Sequence, residues 1–471
     1  MNSYDNLQQS IALVLLLGAA VPATAQVRSA AAPQPNSPFL GGVPQGTATT
    51  DTLSMTVGDA IRRALEHNLG VLMSEQGIDR ARGARWIALS QLLPNLNASV
   101  AEARQVRNLE AFGFPLRGQF PAIVGPFNTF DARVFLRQSV FDLRALNDSR
   151  AEAHNVAAAR FSNRSARDLV VLVTANLYLE ALAASARADS ARAQRETAQA
   201  LQSQALDLKQ GGIVAGIDVV RAEVRLSTER QRATAAENQF QKAKLRLARV
   251  VGMPIGQPFN LVADVPDLPT PDLTLEQALE RAYRDRPDYQ AALERVQAAE
   301  ARRNAAAGSA LPSVRVDADY GAFGLTAGSA RSTFTVVGAV NVPIFEGGRQ
   351  RGRVLGADAD LRARRAEAED LRSGIYYDVR SAFLDLQAIG DELQVASRGR
   401  ELANQQLTQS RDRFAAGVAG NIEVVQAQEA VALASEQYID TFYGYQVAKG
   451  VLAESLGTAE QAVAKYLGGS N

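Results

Sequence analysis

Four segments of the chain alternate apolar and polar residues, the pattern of a strand with one face in an apolar phase and one in water. The pattern predicts strands at about 95–106, 130–142, 313–321 and 332–343. A length of about ten residues and a repeat of two match a transmembrane barrel strand with a wet interior. The alternative is an ordinary one-sided antiparallel sheet packed on a helix. Four strands are too few to close a barrel, so the barrel interpretation requires several chains to share it.

Helical patterns occupy most of the remaining chain. Residues 145–209 contain neither proline nor glycine, which allows about 95 Å of continuous helix at 1.5 Å per residue. Leu169, Val173 and Leu177 share one face of this helix, and the face continues in alanines that permit close helix contact. A solvent-exposed coiled coil would show the same features. The predicted strands favour instead a helical tube that projects away from a membrane.

Two stretches of one design, 210–220 and 415–425, interrupt the helical runs and predict tight helical hairpins. Gly212 and Gly417 each follow a helical run, at the place where a left-handed C-cap is expected. The acidic residue that follows each glycine falls in the first turn of the next helix, where its charge meets the positive end of the helix dipole. The chain therefore contains two hairpin tips of the same kind.

The two hairpins belong to two copies of a longer pattern. Thr56 and Thr274, which are 218 positions apart, both precede an apolar helical run and are predicted N-caps. The hairpin tips repeat at an offset of 205, so the first copy holds the longer loop between its strands. We therefore predict an internal duplication with repeats at 53–253 and 273–458.

The segments outside the repeats are assigned by composition. An apolar run and a small-residue cleavage pattern predict a secretory signal peptide at 1–25, although Asp5 stands where basic residues are expected. Residues 26–52, rich in Pro, Gly, Ala and Thr, predict a flexible extension, and 254–272 and 459–471 are assigned as a linker and a tail. Beyond the signal no stretch approaches eighteen consecutive apolar residues, so passage through a membrane is expected to be by strands.

Composition excludes several classes of function. The 50 basic and 50 acidic side chains balance, so charge gives no indication of nucleic acid binding. Absence of cysteine excludes disulfides, thiolate metal ligands and thiol catalysis. His67 and His154, the two histidines, lie far apart and are interpreted as surface or packing residues. No phosphate loop and no nucleophile motif is present, so we predict no enzyme, no cofactor and no metal.

The ordered set of motifs resembles the TolC family of outer-membrane efflux proteins over about residues 53–458. The resemblance rests on the Leu-Pro pair before each first strand, the strand exit at 341–348 and the two tip sequences. It implies a mainly α fold with a small β part. Long periplasmic hairpins would form an α-barrel, and four transmembrane strands per chain would join a shared barrel of twelve strands.

The same resemblance implies partners and a function. It implies a homotrimer in contact with outer-membrane lipid, which docks on a periplasmic adaptor (a membrane fusion protein) and through it on an inner-membrane transporter. Such an assembly acts as a passive exit duct of a tripartite efflux system or a type I secretion system. The competing class is a non-channel periplasmic coiled-coil scaffold or the adaptor itself. An adaptor is expected to have one hairpin, and a soluble scaffold does not need four alternating strands.

Candidate functional residues also follow from the resemblance. The family's periplasmic gate corresponds to Glu423 and Gln426, of which only Glu423 is acidic, and a helix-dipole partner is the alternative role for Glu423. A role limited to the turn is the alternative for the tip glycines. The expected adaptor contact comprises eight residues at the two tips: Gly212, Gly216, Ile217, Asp218, Gly417, Asn421, Ile422 and Glu423.

The strand-to-helix exit of the second copy is expected at Pro343, Phe345, Gly347 and Gly348. The corresponding stretch of the first copy, 138–144, lacks the proline and the glycine pair. The pattern therefore does not predict how the first copy bends into its long helix.

Overall fold

The computed structural model describes most of the chain. The predicted signal peptide, much of the linker, nearly all of the tail and Gly417 lie outside the described part. The described residues are 37–112, 121–212, 214–263, 273–416 and 418–460.

The described residues form eight α-helices and six β-strands. In chain order these are β1 Leu53–Met55, α1 Val57–His67, α2 Leu69–Ser90, β2 Asn95–Asn108, β3 Ile123–Phe141, α3 Leu143–Gln210, α4 Gly216–Val250, β4 Phe259–Leu261, α5 Leu275–Asp285, α6 Pro287–Gly308, β5 Ser313–Gly324, β6 Arg331–Asn341, α7 Arg349–Ala415 and α8 Asn421–Ser455.

Helices in the two halves of the chain correspond in length. The first half has helices of 11, 22, 68 and 35 residues, and the second has helices of 11, 22, 67 and 35 residues. At 1.5 Å per residue, α3 and α7 are each about 100 Å long. The correspondence fits the predicted duplication, which stays a prediction.

The first helix of each half begins at a predicted N-cap. Thr56 Oγ1 accepts a hydrogen bond from the Asp59 backbone N–H at 3.1 Å, and Asp59 accepts one from the Thr56 N–H at 3.2 Å. Thr274 and Gln277 form the same reciprocal pair at 3.3 and 3.1 Å. Two otherwise unpaired N–H groups are satisfied in each capping box, so both predicted caps are confirmed.

The long helices lie side by side. Near the sheet, α2 and α6 pack on α3, and α6 also packs on α7. Toward the tips, α4 packs on α3, α3 on α8, and α8 on α7. The resulting row has the order α4, α3, α8, α7, so α4 and α7 are its outer members.

A buried tyrosine fixes the small parallel pair β1–β4 against α3. Tyr178 is fully buried, and its hydroxyl lies 2.8 Å from the backbone carbonyl oxygens of both Met55 and Val262. Burial raises the pKa of Tyr178 to about 12. The hydroxyl therefore stays protonated and donates to carbonyls at the ends of the two strands, in a core that also contains Ala60 and Ala64 of α1.

A charged cluster marks the junction of α5 and α6. Arg286 is 7% exposed and donates to Asp288 at 2.7 Å and to Asp378 at 2.9 Å. Burial raises the pKa of Glu454, on α8, to about 6, against an opposing attraction to Arg286. The backbone of Arg286 also lies against Gly457, where a Cβ atom would come within 2.7 Å of it and where φ is +70°. No side chain other than hydrogen fits that contact without strain.

Although it has no eighteen consecutive apolar residues, α3 is long and apolar enough on average to cross a membrane. An 18-residue window of α3 has a mean hydropathy of 1.7. Of that window, 61% is buried inside the protein, where valines and alanines face neighbouring helices. The apolar run of α3 therefore forms core.

The remaining strands form one antiparallel sheet in the order β2, β3, β5, β6. Its strand ends differ from the predicted ones. β3 begins at Ile123 rather than 130, because Gly125 and Pro126 interrupt the alternation without ending the pairing. These two β3 residues face a single residue of β2, Val106, so β3 carries the bulge that changes the register. β6 ends at Asn341 rather than 343, because Pro343 has no N–H to continue the ladder.

Candidate functional site: channel wall and hairpin tips

One face of the four-stranded sheet is apolar and uncovered. Leu96, Val100, Tyr320, Phe334 and Val336 are between 66% and 75% exposed. Among the described residues no helix packs on this sheet. A contiguous apolar surface of this kind marks a site of contact with membrane or protein. The alternative of a one-sided sheet packed on a helix is therefore wrong for the described part of the chain.

The opposite face of the sheet carries charge. Arg133 on β3 donates to Asp131 at 2.7 Å and, across to β5, to Asp319 at 2.9 Å. The Arg133 guanidinium also lies 5.8 Å from the centre of the Phe323 ring. These contacts place the four side chains on one face, since residues of alternate positions share a face.

A second network lies on the same charged face, nearer to the helices. Asp317 accepts hydrogen bonds from Arg137 at 3.2 Å and from Arg315 at 3.0 Å. β3 and β5 thus place apolar side chains on one face and hydrogen-bonded charges on the other. This arrangement suits a wall between hydrocarbon and a water-filled lumen.

Two successive glycines make the exit from β6 into α7. Gly347 and Gly348 have φ values of +62° and +86°, and Gly348 is the N-cap of α7. Pro343 is half-buried, while Phe345 is 89% exposed. The glycines let the chain reverse into the helix at left-handed positions that other residues rarely adopt.

The exit of the first copy uses an aspartate instead. Asp142 is the N-cap of α3, and its side chain accepts a hydrogen bond from the Ala145 N–H at 3.0 Å. β3 therefore joins the long helix at the next residue, without a glycine turn. An acidic residue directly before a helical run is a standard N-cap signal, and it was missed in the sequence.

The first hairpin tip has the predicted geometry. Gly212 follows α3 with a φ of +74°, and Gly216 is the first residue of α4. Ile217 is 53% exposed at the tip. Asp218 lies in the first turn of α4 and its carboxylate is 3.3 Å from Arg221.

At the second tip, α8 begins at Asn421. Ile422 is 51% exposed, and Gln426, one turn further along, is also exposed. Glu423 lies in the first turn of α8 and forms an ion pair of 3.1 Å with Arg413 in the last turn of α7. The Glu423 carboxylate therefore interacts with the Arg413 guanidinium as well as with the positive end of the α8 dipole. The sequence patterns did not predict the arginine partner.

An apolar cluster holds the two tips together. Leu201 of α3, Phe414 of α7 and Val424 of α8 are buried against one another, with Val214 of the first tip at the edge. The described candidate tip residues of the two copies are therefore presented at one end of the molecule.

Further along the hairpins, a charged cluster joins α4 to α8. Glu229 is 1% exposed and accepts from Arg225 at 2.9 Å and from Arg232 at 3.2 Å. Both arginines also pair with Glu429 on α8, and their hydrogen bonds, that of Arg232 first, hold the pKa of Glu429 below its usual value. Sequence patterns did not reveal this cluster, since its partners lie about two hundred residues apart.

The two histidines are separate. His154 lies 2.7 Å from Glu294 through Nδ1, and His67 lies near Glu66 at 3.8 Å. Within the described ranges no group of three or more His, Cys, Asp or Glu side chains could hold a metal ion.

Fold and faces together define a class of protein. A sheet with one apolar and one charged face is suited to span a membrane by strands, and two helical hairpins, whose longer helices measure about 100 Å, extend from it. The family model described as outer membrane efflux protein matches residues 60–253 and 277–458. The chain belongs to the outer membrane efflux protein family.

Individual relatives agree with this assignment. The pyoverdine export outer membrane protein OpmQ of Pseudomonas putida is 24% identical over 414 residues, which are 85% of each chain. The toluene efflux pump outer membrane protein TtgF of Pseudomonas putida is 25% identical over 388 residues, 81% of this chain and 78% of that protein. The crystal structure of VceC from Vibrio cholerae superposes with a TM-score of 0.72 at 18% identity, covering 85% of this chain and 96% of that one.

The resemblance to the TolC family and the mainly α fold with its small sheet are confirmed. The protein is an outer-membrane efflux channel with a periplasmic extension.

Proposed function

We propose that three copies of the chain assemble into one passive exit duct that docks on a periplasmic adaptor and, through it, on an inner-membrane transporter. The observation that carries this proposal is the open sheet: in the part of the chain that the structure describes, β2 and β6 each have one edge with no partner strand. Unpaired backbone groups are costly in hydrocarbon, so both edges need partners. β6 of one copy can pair with β2 of the next, antiparallel as the other neighbours are.

The number of copies follows from the width of the barrel. Two copies give about eight strands, and an eight-stranded barrel is filled by its own side chains. Three copies give twelve strands and leave a lumen, in agreement with the trimeric channels of the family. The same closure brings α4 and α7, the outer helices of the row, against their neighbours. Both carry exposed apolar side chains, among them Leu245, Tyr377 and Val395, which are each 70% exposed in the single chain.

The tips are the proposed contact with the adaptor. Ile217 and Ile422 are half exposed at the same end of the molecule, beside acidic residues in the first helical turns. An apolar and acidic helix reversal suits another helical tip. We expect Ile422→Asp or Gly417→Arg to leave assembled channels in the membrane and to abolish efflux, while Ile422→Val retains it. Unchanged drug resistance in both disruptive variants would exclude the tips as the contact.

The periplasmic gate is proposed at Glu423 and Gln426. Because Glu423 pairs with Arg413 at 3.1 Å, a ring of three such carboxylates would attract cations weakly. The pairing within the hairpin also supports a structural role for Glu423.

The proposed duct has no catalytic role and needs no cofactor, so a partner supplies the energy. Cargo then depends on that partner. The relatives named for pyoverdine and for toluene show that the family serves unlike compounds, and a type I secretion system remains the second candidate setting.

The first test is to express the full-length chain, separate soluble, inner-membrane and outer-membrane fractions, and size the detergent-extracted species. We expect a trimer in the outer membrane. A parallel chain with a substituted signal peptide controls for the unusual first ten residues. A soluble monomer from both chains would favour the scaffold alternative.

A further inference from the structure

Arg331 opens β6 at the outer end of the sheet, beside the turn that joins β5 to β6 and far from the helices. Strand pairing sets Arg331 directly opposite Phe323. The Phe323 ring contacts the Arg133 guanidinium and so lies on the charged face. Directly paired residues of neighbouring strands point to the same side, so Arg331 lies on the charged face as well.

The charge of Arg331 is not neutralised within the described residues. Arg133, Arg137 and Arg315 on this face each donate to an aspartate at 3.2 Å or less, and Arg107 of β2 donates to Gln105 at 3.0 Å. Arg331 has no carboxylate within ion-pair distance in the described ranges, and it is exposed. On the described strands the charged face carries three acidic and five basic side chains, a net charge of two positive per chain: Asp131, Asp317, Asp319, Arg107, Arg133, Arg137, Arg315 and Arg331.

A neighbouring copy would not remove the charge. In the proposed trimer β6 pairs with β2 of the next chain, and the lumenal positions of β2 contain no carboxylate. Those positions are Asn95, Asn97, Ser99, Ala101, Ala103, Gln105 and Arg107, of which the last is basic. The three copies of Arg331 would therefore form an uncompensated ring.

We infer that Arg331 forms a cationic ring at the outer mouth of the lumen, which makes the exit favour anionic solutes over cationic ones. This inference rests on the proposed trimer. It concerns the outer end of the duct, opposite the acidic tips.

The expected enrichment of anions at the mouth follows from the width of the barrel. Twelve strands about 4.8 Å apart, tilted by about 45°, close at a backbone radius of about 13 Å, so inward guanidinium groups reach to about 8 Å from the axis. Three charges at that distance, screened by about 0.1 M salt, enrich a monovalent anion on the axis about threefold. At about 0.01 M salt the enrichment rises to roughly sevenfold, because the screening length is longer.

The test is the reversal potential of purified channels in planar lipid bilayers under a KCl gradient. We expect Arg331→Gln to lower the chloride-to-potassium permeability ratio about tenfold at about 0.1 M salt and by more at lower salt, because the same potential enriches chloride and depletes potassium about threefold each. Arg331→Glu should lower it further, and Arg331→Lys should leave it unchanged. Thr333→Asp, which adds an acid on the same face of β6, should shift it in the same direction as Arg331→Gln.

The outcomes separate the two proposals. Failure of the wild-type chain to form any channel would count against the proposed function. Channels of normal conductance whose reversal potential is the same in wild type, Arg331→Gln and Arg331→Glu would overturn the cationic ring alone.

Discussion

Glu454 lies at the junction of α5 and α6, and its titration should make the free energy of unfolding fall as pH rises through about 6. Glu454 is partly buried there, and its pKa of about 6 compares with an ordinary value of 4.5. A carboxyl group whose pKa is higher in the folded state stabilises the fold while it is protonated, and the contribution is lost as pH rises through 6. A pKa shift from 4.5 to about 6 corresponds to a loss of about 2 kcal/mol of unfolding free energy at neutral pH, relative to the protonated form.

Glu454→Gln removes this titration and keeps the shape of the side chain. The variant should exceed wild type in unfolding free energy by about 2 kcal/mol at about pH 8, and by only about 0.4 kcal/mol at about pH 4.5. Other acids that face the junction, Asp168, Asp288 and Asp378, are present in both chains, so their titration largely cancels in the comparison. The assay is denaturant unfolding of the detergent-solubilised protein, followed by circular dichroism at the two pH values.

Glu436→Gln on the same helix is the matched control, because that carboxylate is exposed. The unfolding free energy of Glu436→Gln should differ from that of wild type by the same amount at both pH values. If the Glu454→Gln difference were also equal at both pH values, the inference that burial at the junction controls the titration of Glu454 would be wrong.

Two further predictions concern buried polar contacts. Tyr178→Phe should lower the unfolding free energy by about 1–2 kcal/mol, because it leaves buried carbonyls without a donor. Tyr377→Phe, at a residue that is exposed in the single chain, is compared in the detergent-separated monomer and should change it by less than about 0.5 kcal/mol; equal effects would argue against the hydroxyl contact. Arg225→Met should lower the unfolding free energy by about 3 kcal/mol, since it removes one of the two arginines that pair with the buried Glu229 carboxylate. Adding Glu229→Gln should recover part of this loss, and no recovery would exclude the explanation.

Local patterns predicted the elements whose cause is local. The alternation of apolar and polar residues predicted four strands. Thr56 and Thr274 predicted helix starts, because each side chain accepts a hydrogen bond from the backbone N–H three residues further along. Gly212 predicted a left-handed turn because almost no other residue tolerates that φ. The extension of β3 to Ile123 was missed, since Gly125 and Pro126 usually end a strand and only the partner strand shows that pairing continues.

Contacts between distant parts of the chain could not be predicted in this way. Arg225 and Glu429 are 204 residues apart, and the Arg413 partner of Glu423 depends on the packing of the hairpin. Periodicity gives the face of a helix but not which neighbour meets it. The charged face of the sheet was predicted as a pattern, yet the position of Arg331 on that face, opposite Phe323, emerged only from the strand register.

The free edges of β2 and β6 also bear on biogenesis. Each backbone group left unpaired in hydrocarbon costs several kcal/mol, so a single chain has no stable inserted form. Insertion is then coupled to association, and its rate depends on how many copies gather at the membrane. Until they meet, each chain exposes an apolar strand face and two pairing edges to the periplasm, which is a hazard for aggregation. Cells that make this protein faster than the copies can meet should accumulate it as aggregates or as complexes with chaperones.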